Sequence, residues 1–288
     1  MTLQLKKAER KKAKIRLGLS GASGFGKTYS ALLIAKGLVG DWDKIALIDT
    51  EHGSGELYSD LGDYNVVSLE APFSPERYIE AIKACEAGGM ECIIIDSITH
   101  EWDGEGGCLD IADKVTQAST SKNSYTAWAK VTPRHQKFLN TILQSKCHVI
   151  TTVRRKQDYD MVKNGNKTEV VKVGMKEVTR EGYEYELTIN LELLTDTHYV
   201  KASKDRTGLF MGKPEFIPTE ETGVMIRKWC ESGKEPEPVA KHDLTPEHKH
   251  WELIKKRLQE GTATILQIEE NYNLSTTVKE QLLEEVTL

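Results

Sequence analysis

Gly21-Ala22-Ser23-Gly24-Phe25-Gly26-Lys27-Thr28 is the stretch whose reading decides the fold. A glycine, four residues and then Gly-Lys-Thr is the spacing of a loop whose backbone N–H groups wrap a chain of phosphates. Glycines are required because the backbone can close on a phosphate only where no Cβ intervenes and φ is free. On this reading the cradle is Gly21, Ala22, Ser23, Gly24, Phe25, Gly26, Lys27, Thr28 and Tyr29. Lys27 reaches the β- and γ-phosphates, and the Thr28 hydroxyl is a ligand for Mg²⁺.

The flanks agree with the loop. Residues 15–20 (IRLGLS) alternate apolar with small or polar positions as a short strand does, and residues 29–38 are apolar and helix-forming. The loop thus lies between a strand and a helix N-terminus, where the positive end of the helix dipole faces an anion.

Two later strands end in acids. Residues 44–49 (KIALID) read as a buried strand running into Thr50-Glu51-His52-Gly53. A carboxylate just past the C-terminal edge of such a strand is placed to orient or deprotonate an attacking water, so Glu51 is the candidate base. Residues 91–97 (ECIIIDS) are an apolar run that delivers Asp96 to the Mg²⁺ side of the phosphates. In the buried strand 147–153 (CHVITTV), Thr151 and Thr152 are candidate sensors of the γ-phosphate.

Basic groups follow that strand. Arg154, Arg155 and Lys156 come first, then Lys163 and Lys167 on either side of Asn164-Gly165-Asn166, a strong hairpin signal. The segment 154–180 predicts a protruding arm suited to single-stranded DNA or to a neighbouring subunit. Residues 183–191 predict a half-exposed strand, and residues 197–203 another, ended by Lys204-Asp205-Arg206-Thr207-Gly208. Lys204 and Arg206 read from the sequence alone as a basic turn, and they also suit insertion into the nucleotide site of an adjacent protomer.

Elsewhere, residues 66–69 predict a strand, 75–87 a helix with proline at its start, 100–126 a long polar loop, and 128–144 an amphipathic helix. Trp102 and Trp128 suit base stacking or simple packing. The domain reading is a basic arm 1–14, a core 15–231, a Pro/Gly linker 232–245 and a small module 246–288 with helices over 246–259, 264–271 and 276–286. His248 and His250 do not share a helix face and make a poor metal pair.

A net charge of −5 excludes a uniformly basic nucleic-acid binder, so any such contact rests on local clusters. Five scattered cysteines with no Cys-x-x-Cys pair point to reduced thiols and argue against disulfides or zinc, and no apolar run approaches a membrane span. The expectation is a cytoplasmic protein.

Residues 48–53 (IDTEHG), with Leu57-Tyr58 and Leu61-Gly62, resemble the RecA segment that carries its catalytic glutamate; residues 94–97 (IIDS) resemble its Walker B strand. Thr151-Thr152-Val153-Arg154 falls at its nucleotide switch, with Thr152 where that family has Gln. Lys204 to Gly208 is similar to the Lys-Asn-Arg-x-Gly finger of DnaB-like helicases and RadA proteins. In total pattern, residues 16–230 resemble the compact phage-encoded RecA-like ATPases of single-strand annealing type.

The resemblance implies an α/β fold: a RecA-like P-loop NTPase core with a mostly parallel central sheet, a β-hairpin arm and a small C-terminal helical module. It implies an ATPase using ATP and Mg²⁺, assembled into a ring or filament on single-stranded DNA in recombination or annealing, inside the host cell if phage-encoded. The helical module suits docking a single-strand-binding or replication protein. A ring-type helicase motor or accessory, a small-molecule phosphotransferase and a nucleotide-gated scaffold use the same phosphate loop.

Overall fold

The computed structural model describes residues 7–9, 11–120, 122–164, 167–194, 197–234, 242–269 and 271–287; for 160–164, 167–170, 173, 242, 266 and 287 the description is of the backbone. The chain divides into two compact units, Met1–Lys234 and Glu235–Leu288.

The first unit is mixed α/β. In chain order it runs β1 (Arg16–Gly21), α1 (Lys27–Val39), β2 (Ile45–Asp49), β3 (Asn65–Ser68), α2 (Pro75–Ala87), β4 (Cys92–Asp96), α3 (Thr99–Asp103), α4 (Cys108–Ala118) and α5 (Ser124–Gln144). It continues with β5 (His148–Asn164), β6 (Lys167–Glu177), α6 (Tyr183–Glu186), β7 (Ile189–Leu193), β8 (Val200–Asp205) and α7 (Glu220–Glu231). The sheet order is β3-β2-β4-β5-β1-β7-β8, and β6 pairs with β5. Pairing is parallel from β3 through β7; β7–β8 and β5–β6 are antiparallel.

β2 and β4 read as apolar runs up to their terminal aspartates because both faces are covered. Every residue of β1, β2 and β4 is buried. Alternate side chains go to opposite faces. Leu47, Ile94 and Ile150 pack with Leu32, Ile34 and Leu38 of α1 and Ile226 of α7. Their neighbours Ile48, Ile93, Ile95 and Val149 pack with Tyr78 and Ile82 of α2 and Phe138 and Ile142 of α5. Each fully buried aliphatic side chain of this kind contributes about 1.5–3 kcal/mol. Two close-packed helical layers therefore hold the sheet, and its C-terminal edge carries the loops.

Four expectations change. Residues 100–126 are not a loop: they fold into α3, α4 and the first turn of α5, since Cys108, Ala112 and Val131 make a local apolar cluster with Trp102, Ile111 and Trp128. The strand 147–153 and the arm's first strand are one 17-residue strand, β5. Residues 183–191 split into the short α6 and β7, because Gly182 turns the chain at φ 89° and Tyr183 buries against the sheet. Lys204 lies within β8, not after it.

The second unit holds β9 (His242–Asp243), α8 (Trp251–Gln259), α9 (Ile265–Glu269), β10 (Tyr272–Asn273) and α10 (Thr276–Thr287). Its core is Leu244, Trp251, Ile254, Ile268 and Leu282. Among the described residues no helix is long and apolar enough to cross a membrane.

Candidate functional site

The phosphate loop leaves β1 at Gly21 and enters α1 at Lys27. Gly24 and Gly26 take left-handed conformations, at φ 81° and 83°, which glycine adopts without strain. At Gly26 a side chain has a second obstacle, because a Cβ there would stand 2.7 Å from His198 Nδ1. Lys27 Nζ donates to the Ala22 carbonyl at 2.8 Å, folding back across the loop. Burial holds its ammonium below the usual lysine range, against the pull of Asp96 and Glu51.

β5 lies between β1 and β4, so the loop and Asp96 stand two strands apart. Thr28 spans that gap: its hydroxyl donates to Asp96 Oδ2 at 2.5 Å. From the intervening strand, Thr152 donates its hydroxyl to the other oxygen, Oδ1. Burial pushes the Asp96 carboxyl up, and both threonine hydroxyls oppose that shift. Thr28 and Asp96 thus present hard oxygen donors side by side, the chemistry that suits Mg²⁺.

Glu51 stands just beyond β2, the neighbour of β4. Asp49 braces the turn, accepting from the Glu51 N–H at 2.6 Å and the Gly55 N–H at 3.0 Å. Buried Thr50 fastens it to the next strand, donating its N–H to the Asp96 carbonyl at 2.8 Å and accepting from the Ser97 N–H at 2.9 Å. Its hydroxyl also meets His100 Nδ1 at 2.8 Å. Burial, and next the Arg154 charge, hold that imidazole below the ordinary histidine range.

Parallel register pairs Gly21 with Arg154, which brings Arg154 to the same edge. It places Nη2 at 2.8 Å and Nε at 3.0 Å from Glu51 Oε1. Grouped in sequence with the candidate DNA-binding cations, Arg154 instead lines a cavity of about 420 Å³ together with Lys27, Thr28, Glu51, Asp96 and His198. Ser23, Gly24, Gly26, Tyr29 and Tyr58 complete much of its wall. His198 is a member that sequence reading missed; its Nδ1 meets the Phe25 carbonyl at 2.9 Å, and no local pattern announces it.

Other predicted site residues lie elsewhere. Thr151 faces the opposite side of the sheet from Thr152, where its hydroxyl meets Tyr183 Oη at 2.8 Å and the Leu17 carbonyl at 3.4 Å. The alternation of a strand forbids both threonines from facing the phosphates, so Thr151 is withdrawn as a sensor. Arg155 pairs with Glu192 at 3.0 Å and donates to the Met175 carbonyl at 2.6 Å. Lys156 is exposed, as are Lys172 and Lys176 on β6. The Lys163 and Lys167 side chains lie outside the described residues.

Lys204 and Arg206 gather at the end of α6. Lys204 Nζ donates to the Glu184 carbonyl at 2.9 Å and to that of Tyr185; Arg206 Nη2 reaches the Tyr185 carbonyl at 2.9 Å. Cations there complement the carbonyls at a helix C-terminus. Desolvation, and next the Arg206 charge, lower the Lys204 ammonium below its usual range. Trp102 and Trp128 stack on each other, centroids 5.5 Å apart, which favours the packing role over base stacking.

Residues 13–217 match the model of a protein family described as AAA domain. A comparison with curated proteins finds no match.

Proposed function

This chain belongs to the AAA-domain family, and from that premise we propose that it is an ATPase that binds MgATP in the phosphate-loop cavity and works as an oligomer on single-stranded DNA. The observation that carries the proposal is the convergence of Lys27, Thr28, Glu51, Asp96 and Arg154 on one cavity. A P-loop ATPase is the part that family membership supports directly; the DNA role, in recombination or annealing within a host cell, rests on the RecA-like order of motifs.

In this reading the loop N–H groups and the Lys27 ammonium hold the β- and γ-phosphates. Thr28 and Asp96 hold Mg²⁺, which supplies charge neutralisation on the phosphoryl oxygens. Glu51 orients the attacking water and takes its proton. Ser97 follows Asp96, so the carboxylate for this step is Glu51, just beyond the neighbouring strand β2. Thr152 reports on the metal through Asp96 Oδ1. Exposed Lys156, with Lys163 and Lys167 further along the arm, supplies phosphate contacts to DNA. Lys204 and Arg206 exchange the Tyr185 carbonyl for the γ-phosphate of a neighbouring protomer in a ring or filament. The second unit docks a single-strand-binding or replication protein.

The test is steady-state ATP hydrolysis by wild type and Glu51→Gln, with and without single-stranded DNA. Stimulation by DNA in wild type, with turnover in Glu51→Gln reduced about 10²–10⁴-fold, is the expected result. Turnover indifferent to DNA ends the recombination reading and turns attention to small-molecule acceptors. Loss of concentration-dependent turnover in Arg206→Ala is the matching test of the shared site.

A further inference from the structure

The three helices that follow Asp96 bring together side chains the nucleotide cavity does not use. Glu101 on α3, Cys108 at the start of α4 and His135 on α5 are 1%, 0% and 2% exposed. Cys108 Sγ lies 3.1 Å and His135 Nδ1 3.0 Å from Glu101 Oε1, and Sγ and Nδ1 are 4.0 Å apart. These donor atoms, all within 4.8 Å of one another, lie within the span of one coordination sphere; tetrahedral zinc at roughly 2.0–2.3 Å needs Sγ and Nδ1 to close and the two Glu101 contacts to open by a few tenths of an ångström.

The donor set points the same way. One thiolate, one imidazole and one carboxylate match a borderline-soft dication and not Mg²⁺ or Ca²⁺, which take oxygen. Charge also balances: a thiolate and a carboxylate neutralise a dication, and a buried carboxylate needs such compensation. His135 Nε2 is buried with no hydrogen-bond partner, so the ring's polar contacts are made on the Glu101 and Cys108 side.

We propose that Glu101, Cys108 and His135 bind one Zn²⁺, a water taking the fourth position, and that the ion clamps α3, α4 and α5 together. Through α3 the clamp adjoins the ATP site. α3 begins three residues after Asp96, and Thr99 at its start accepts the Arg154 N–H at 2.9 Å. The inference does not depend on the ATPase reading.

The experiment uses the full chain, stripped with a chelator and titrated with Co²⁺ and then Zn²⁺ in the absence of nucleotide. The expected result is about one Co²⁺ per chain, with a thiolate-to-cobalt band in the near ultraviolet and intense tetrahedral d–d bands, both erased by Zn²⁺. The phosphate-loop cavity offers oxygen donors and the His198 imidazole but no sulfur, and so gives no sulfur band. Cys108→Ser abolishes that band, and His135→Gln weakens Co²⁺ binding by at least about tenfold. Zn²⁺ raises the melting temperature of wild type and not of Cys108→Ser. Absence of the sulfur band in wild type overturns the proposal, as does a band that survives in Cys108→Ser. Should that variant fail to fold, the wild-type spectrum and His135→Gln decide.

Discussion

Arg154 sets two nitrogens, Nη2 at 2.8 Å and Nε at 3.0 Å, on a single carboxylate oxygen of Glu51. Both side chains face the cavity that holds Lys27 and Asp96. A γ-phosphate arriving there competes with Glu51 for the guanidinium, and its capture would leave the carboxylate free for water. Arg154→Ala is expected to lower kcat about 100-fold, the scale of losing one transition-state donor. Arg154→Lys is expected to restore little, since an ammonium cannot reproduce the guanidinium's planar fork. Steady-state kinetics check both; an unchanged kcat in Arg154→Ala removes the residue from the mechanism.

The two adjacent threonines should behave oppositely. Thr152 donates to the candidate metal ligand Asp96, whereas Thr151 bonds Tyr183 on the far face. Thr152→Val is predicted to weaken the apparent Mg²⁺ affinity of ATP hydrolysis 10–100-fold, the usual effect of removing a ligand's supporting hydrogen bond. Thr151→Val should leave that affinity alone and cost about 1 kcal/mol of stability through the lost hydroxyl pair. Mg²⁺ titrations and denaturant melts distinguish them, and equal Mg²⁺ effects would contradict the facing assigned here.

His148 predicts an acid sensitivity. It is buried and accepts the Ile15 N–H at 3.1 Å. Burial, helped by the Lys14 and Arg16 charges, lowers its pKa from 6.5 to about 3. The unfolded chain therefore takes up this proton more readily, so its contribution to stability is complete above pH 6.5 and is lost as pH falls toward 3. At pH 5 the loss is about 2 kcal/mol relative to pH 7.5. His148→Asn, which accepts the same bond without titrating, should flatten the stability curve between pH 7.5 and about 5; a curve parallel to wild type refutes the assignment.

Gly37 and Gly223 set the distance between α1 and α7. A Cβ on Gly37 would lie 1.9 Å from the Glu220 carbonyl oxygen, and one on Gly223 2.1 Å from that of Ile34. Neither obstacle can rotate away, because both are backbone. Each Gly→Ala substitution is expected to destabilise by about 1–3 kcal/mol, the cost of overpacking, despite alanine's better helix propensity. Thermal or denaturant unfolding tests this. Because α1 carries Lys27 and Thr28, ATP affinity should fall as well.

What could be read from the chain alone was what is local or periodic. Eight consecutive residues, 21–28, carry the phosphate loop, and apolar runs ending at Asp49, Asp96 and Val153 announce strands buried on both faces. Such a loop needs glycines and a lysine at fixed spacing, and a doubly covered strand needs continuous apolar side chains, so each imprints itself on neighbouring letters.

The tertiary structure decided everything that depends on register, facing or distance along the chain. Arg154 joins Glu51 because β5 pairs in parallel with β1, and 103 positions separate the two residues. Thr152 and not Thr151 reaches Asp96 because side chains alternate, and the sequence does not say which parity faces the phosphates. Glu101, Cys108 and His135 converge from three helices; the first two lie where polar, glycine-bearing letters read as loop, and the third on a helix the sequence announces. Folding supplies that convergence, because burial of the apolar faces of α3, α4 and α5 places their polar residues at distances no one-dimensional pattern encodes.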